Sequence, residues 1–252
     1  MIWAFTRDLR TVWFNRKALI LPAGIVLILV LGPTGAINAW DLVLSASQFK
    51  MVSLILVPLY LFMVSRHFES AWEALIITRV QSRPVWWWAD VAALGATALM
   101  VVLGLGIVSA LGSMLGHSWS WQWSPYAHKW YVASILASVP WQWCVESLGL
   151  LATGLWAMGI MTHVLTLWWR SEWLALVAMI AVTVFPVTFM EISAPALVWW
   201  FPGPQFSLSV HFSGGIPALW SFGYAVVLLG AFSWIGMIMA CQHPWGNLHQ
   251  PA

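Results

Sequence analysis

The chain has 252 residues, 62% hydrophobic and only 7% charged, with a formal net charge of +2. Soluble domains carry about 25% charged residues, so a soluble fold is excluded and an all-α polytopic membrane protein is expected. So few cations also argue against a nucleic-acid partner, and the two cysteines, Cys144 and Cys241, are placed at opposite span ends, which implies neither a disulfide nor a metal pair.

Residues 1–17 mix Trp3, Phe5, Leu9, Val12 and Trp13 with Arg7, Arg10, Arg16 and Lys17. That is the make-up of a basic amphipathic helix lying in the membrane interface. No signal-peptide cleavage pattern accompanies the first apolar run. A helix needs about 20 apolar residues to cross a bilayer. On that basis span 1 is predicted over 18–37, with Pro33 and Gly35 loosening its outer end. A short loop with Trp40, Asp41 and Lys50 follows, and then span 2 over 51–65, closed by Arg66 and His67.

Residues 69–83, ESAWEALIITRVQSR, come next. Glu69 and Glu73 at the start and Arg79 and Arg83 at the end suit the two poles of a helix dipole. Trp72, Leu75, Ile76 and Arg79 recur at helical spacing and give one amphipathic face. Pro84 is expected to stop this helix. Trp86, Trp87 and Trp88 are expected at headgroup level where the chain re-enters the bilayer. The segment reads as a short helix on the inner membrane surface, either a plain connector or a docking helix for a cytoplasmic partner.

Span 3 is predicted over 86–115, with Gly95, Gly104 and Gly106 permitting close helix approach. Residues 117–131 are polar and aromatic and lie outside the hydrocarbon. Span 4 is predicted over 140–168, followed by a tight turn at Trp168, Trp169, Arg170 and Glu172, and span 5 over 173–189. Residues 191–219 carry too many Pro and Gly for one straight span. Their apolar piece 194–201 suits a re-entrant or interfacial helix, tolerated only if protein shields its backbone. Span 6 is predicted over 220–241, and the chain reads as a single transmembrane domain over 1–252. With six spans, Arg7, Arg10, Arg16, Lys17, Arg66, Arg79, Arg83 and Arg170 fall on the side of both termini, against Lys50 and Lys129 on the other. That bias places both termini in the cytoplasm.

No phosphate-binding GxxxxGK[ST] loop, HExxH or G-x-S-x-G is present. The chain is therefore not expected to be an enzyme or to hydrolyse ATP by itself, and no metal or cofactor is expected on it. His163 is the one clear intraspan histidine and reads as packed or snorkelling rather than as a ligand. Asp90, Arg170 and Glu172 are placed at inner span ends. Glu146 is the outlier, a carboxylate inside a predicted span. Such a residue is costly there and is a functional-site candidate by default. Two readings stand: Glu146 faces a helix partner, a central path or an interface between copies, or it lies high enough to reach water beside Trp141 and Trp143.

The whole chain resembles the permease family of type-2 ABC transporters, six-span subunits that work with separate ATPase subunits. The specific part is Glu69 to Arg83. That family reads acidic, Gly-Thr-x-Glu, a leucine run, Thr-Pro-Val-Ser-Arg, then a later Gly-Lys. Here Glu73, the apolar run, Thr78, Val80, Ser82 and Arg83 follow the pattern. Ser70-Ala71 stands for Gly-Thr, Arg79 for Pro, one residue is extra, and Asp90 lies near the usual Lys. The resemblance implies a cytoplasmic coupling helix at 69–83 seated on the ATPase through Glu69, Trp72, Glu73, Leu75, Ile76, Thr78, Arg79 and Arg83. It further implies a second permease, identical or homologous, a separate ATPase dimer carrying ATP and Mg, and a hairpin at 191–219 capping the outer end of a central path. The expected location is a bacterial cell membrane and the expected cargo an exported apolar or amphipathic peptide, lipid or drug-like molecule. Two other classes remain open: an intramembrane enzyme acting on a lipid or quinone, and a non-transporting assembly or immunity factor.

Overall fold

The computed structural model describes residues 39–65, 82–114, 122–124, 139–191, 201–206 and 218–242. The expected interfacial helix at 1–17, span 1, both termini, residues 66–81 of the loop and most of 191–219 lie outside the described residues. Among the described residues every regular element is helical: α1 (Ala39–Ala46), α2 (Val57–Ser65), α3 (Arg83–Met114), α4 (Pro140–Trp169), α5 (Glu172–Glu191) and α6 (Ala218–Gln242). Three helical stretches, Arg83–Leu111, Pro140–Trp169 and Leu219–Gln242, are long and apolar enough to cross a membrane, and Val52–Ser65 and Glu172–Val187 are shorter apolar helices. The chain is a helical membrane protein.

α4 is the hub and packs against α1, α2, α3, α5 and α6. Trp156 lies on Gly95 and Leu148 on Gly106, so α3 runs antiparallel to α4. Tyr60 lies on Gly159, and the Ser147 hydroxyl donates to Ser47 Oγ at 2.6 Å, so residues 39–65 run parallel to α4. α6 is also parallel: Phe222 faces Gly149 at one end, and Trp87 touches both His163 and Ser233 at the other. Between α4 and α5, Arg170 takes a left-handed φ of 53° and reverses the chain, and the Leu174 N–H bonds to Ser171 Oγ at 3.4 Å.

The outward faces are apolar. Leu99, Leu103, Ile107 and Leu111 stand exposed along α3 at a spacing of four, and Val226, Val227, Trp234 and Ile238 along α6. Lipid is a solvent in which such faces carry no penalty. Exposed tryptophans mark both ends of α4, Trp141 at one and Trp168 and Trp169 at the other. Trp141 and Trp168 are 27 residues apart, about 40 Å at 1.5 Å per residue, close to a bilayer with its headgroup layers.

The structure departs from the sequence-based expectations at four places. The loop expected around Trp40, Asp41 and Lys50 is helical: Trp40 and Asp41 lie in α1, and Lys50 in the three helical residues Phe49–Met51. Val43 and Leu44 pack with Cys144 and Leu150, which gives α1 an apolar face on α4. α1 is hard to see in sequence because its ladder breaks at Ser47, whose hydroxyl bonds back to Leu44 O at 2.8 Å and competes with the regular helix. Below the break, Val52–Leu56 forms a π-helical segment that leads into α2. Arg83 and Pro84 open α3, which suits a residue without an N–H in a first helical turn. Trp88 is exposed as expected at an interface, but Trp86 and Trp87 are buried in the bundle. Asp90, expected at an interfacial span end, is buried too; it lies one turn beyond Trp86 and Trp87 on the same face of α3.

Candidate functional site

Of the loop residues singled out, Glu69, Trp72, Glu73, Leu75, Ile76, Thr78 and Arg79 lie outside the described residues. Arg83 is described. Its Nη1 donates to Cys241 O at 2.6 Å, so a cation sits on the carbonyl end of α6, where the helix dipole is negative. This links the exit of the loop to the last turn of the last helix.

Trp87 makes a second link between the same helices. Its Nε1 donates to Ser233 O at 2.8 Å, and its ring occupies the space a Cβ on Gly236 would take. Only a residue without a side chain admits the indole there. Trp87 also meets His163 with ring centroids 5.0 Å apart, and Trp86 meets it at 5.8 Å, both edge to face. His163 is packed, at 1% exposure. Among the described residues no group of three or more His, Cys, Asp or Glu could hold a metal ion. Higher up, Trp156 Nε1 donates to Val91 O at 2.8 Å and the Tyr60 hydroxyl to Leu94 O at 3.3 Å. Each of these carbonyls also belongs to a helix ladder and has a second lone pair to offer. A polar hydrogen buried in lipid-embedded protein needs such an acceptor.

Glu146 is exposed on α4, beside the exposed Trp141, Gln142 and Val145. It therefore does not point into the helix packing of the described residues. It lies five residues below Trp141, about 7.5 Å, at the edge of the hydrocarbon. An exposed carboxylate at that level reaches headgroup water without crossing much lipid.

A short buried helical turn lies between α5 and α6. The four helical residues Pro202–Gln205, with Phe206, are all buried and pack against α4, α5 and α6. Phe206 occupies the space of a Cβ on Gly154, fourteen residues along α4 and about 21 Å from its start. The Ser221 hydroxyl donates to Gln205 Oε1 at 2.7 Å. Two prolines remove two N–H donors that would otherwise need partners, and surrounding helices shield the irregular backbone.

Sequence reasoning missed a polar seam between α1 and α4. Asp41 is 1% exposed and follows Trp40 in the first turn of α1. The Cys144 thiol lies 3.9 Å from Trp40 O. One turn below, Ser147, Ser47 and Leu44 O form a hydroxyl chain. The available signal was the position of Asp41 next to Val43 and Leu44, on a face that had to be buried for α1 to form at all.

Compared with known protein families, with curated proteins and with solved structures, the chain matches none.

Proposed function

We propose that the chain is a six-span permease subunit of an ATP-driven ABC transporter, coupled through residues 69–83 to a separate ATPase dimer and paired with a second permease. The observation that carries this reading is the buried turn Pro202–Phe206 between α5 and α6. It lies where the resemblance implies a break in the helix, and it sits deep against α4. The Arg83 and Trp87 bonds to α6 support the reading as well, since they join the exit of the loop to the last helix. An apolar or amphipathic cargo suits a bundle with an apolar surface and few charges.

The test replaces Trp72, Leu75 and Ile76 together by Ser. Charged pairs on an exposed helix are worth about 0–1 kcal/mol each, so apolar burial should dominate docking. The expected result is a folded chain, monodisperse in detergent, that no longer captures a co-expressed ATPase and its ATP hydrolysis. Unchanged capture by the triple variant removes the reading.

The seam of Asp41, Cys144, Ser47 and Ser147 favours a second class, an intramembrane enzyme acting on a lipid or quinone, because it gathers several polar groups along one stretch of the α1–α4 contact. Deleting 69–83 separates the two: an enzyme keeps its activity, and a permease loses transport.

A further inference from the structure

Asp90 of α3 and His163 of α4 are 3% and 1% exposed, and two contacts bracket them. On one side Trp87 meets His163, with ring centroids 5.0 Å apart. On the other, Leu94 lies 3.4 Å from where a Cβ on Gly159 would be. Asp90 is between Trp87 and Leu94 in α3, and His163 is one turn from Gly159 in α4. The antiparallel register therefore brings the Asp90 position to the interval 159–163 of α4. Asp90 shares a helix face with Trp86 and Trp87 through its i–4 and i–3 spacing.

We propose that Asp90 and His163 form a proton-binding pair inside the bundle. The imidazole takes a proton from water at the Arg83 end, and the carboxylate balances the charge so that the pair is neutral overall. A lone charge buried here would be costly, whereas an imidazolium beside a carboxylate is compensated. The indole rings of Trp86 and Trp87 hold the imidazole in place by edge-to-face contact. Asp90 is seven residues from the start of α3, about 10 Å, so the Arg83 end is its nearer access. Among the described residues few other groups compete. Over 218–242, α6 has no Asp, Glu, Lys, Arg or His, and α2 has none over 57–65. α5 has only Glu172 and Glu191, at its two ends. Polar groups nearby include the Tyr60 hydroxyl, bonded to Leu94 O, the Thr162 hydroxyl, bonded to Met158 O, and the Ser233 carbonyl, bonded to Trp87. The pair stands whether or not the chain couples to an ATPase.

The experiment uses the full chain labelled with nitrogen-15 histidine in phosphatidylcholine vesicles. Solid-state NMR reads the imidazole nitrogens at about pH 6, and His163→Asn identifies the His163 signals by their loss. The expected result is a partly protonated His163 whose protonated fraction falls about tenfold in Asp90→Asn and is only partly restored, to about a third of the original, in Asp90→Glu. A protonated fraction unchanged in Asp90→Asn overturns the proposal. Should Asp90→Asn fail to elute as a single species, the original chain and Asp90→Glu decide it. His163 neutral in both from about pH 5 to about pH 8 overturns it, and a titrating His163 whose protonated fraction changes at least about twofold in Asp90→Glu supports it, a smaller change overturning it.

Discussion

At the Arg83 end, α3 and α6 are joined by a large ring: Trp87 donates to Ser233 O, fills the notch at Gly236 and abuts His163. At the Pro140 end, α1 and α4 are joined by small groups: Ser147 donates to Ser47, and Ser47 to Leu44 O. Both ends answer one demand, that polar hydrogens inside a membrane protein find acceptors, but their sensitivities differ. A ring in a glycine notch couples packing to hydrogen bonding, so one substitution damages both. A hydroxyl chain carries little volume, so its loss removes bonds and leaves packing nearly intact. The ring-built end should therefore be the stiffer and more fragile one.

The largest effect is expected for Trp87→Ala. It removes a fully buried indole and its bond to Ser233 O and should cost about 3 kcal/mol, as large-to-small core changes do. Unfolding in mixed detergent micelles measures it; a loss as small as that of Ser147→Ala would erase the contrast between the ends. Next comes Gly236→Ala, whose Cβ would occupy the position of the Trp87 ring. Overpacking of this kind should cost about 2 kcal/mol. The double variant sharpens the comparison, because with the ring gone the added methyl has room. Gly236→Ala should then cost less than about 0.5 kcal/mol in the Trp87→Ala background, a strong departure from additivity. Additive losses would mean that the notch and the ring are not one unit.

At the other end Ser147→Ala should cost about 0.6 kcal/mol, the usual worth of a side-chain hydrogen bond between membrane helices. The same unfolding measurement applies, and a loss above about 2 kcal/mol would show that the seam is a main structural joint. The smallest effect is expected for Glu146→Gln. The side chain is exposed, so stability should change by less than about 0.5 kcal/mol. A larger loss would reveal a partner for this carboxylate, such as a second copy of the chain.

The sequence by itself determined that this is a helical membrane protein, and it located the long helices closely. The predicted spans at 86–115, 140–168, 173–189 and 220–241 overlie α3, α4, α5 and α6 within a few residues. A span is set by its own apolar length, a local property. The prolines Pro202 and Pro204 are local signals too, and they fall in the short buried helix Pro202–Gln205 between α5 and α6. Only the tertiary structure decided which side of each helix faces lipid. Around the helices that lie among lipid, apolar residues serve both outside and inside, so periodicity does not separate the two faces. This is why Trp86 and Trp87 read as interfacial anchors yet are buried, while their neighbour Trp88 is exposed. It is also why Asp41 and Asp90 were read as loop and interface residues while Glu146 drew attention as a carboxylate inside a predicted span. The burial of each carboxylate depends on the helix opposite it: α4 covers Asp41 beside Cys144 and lies along the face of α3 that carries Asp90, while no helix of the described chain buries Glu146. Contacts between helices distant in sequence, such as Trp87 with Gly236, arise from packing and leave no trace in the hydropathy of either segment.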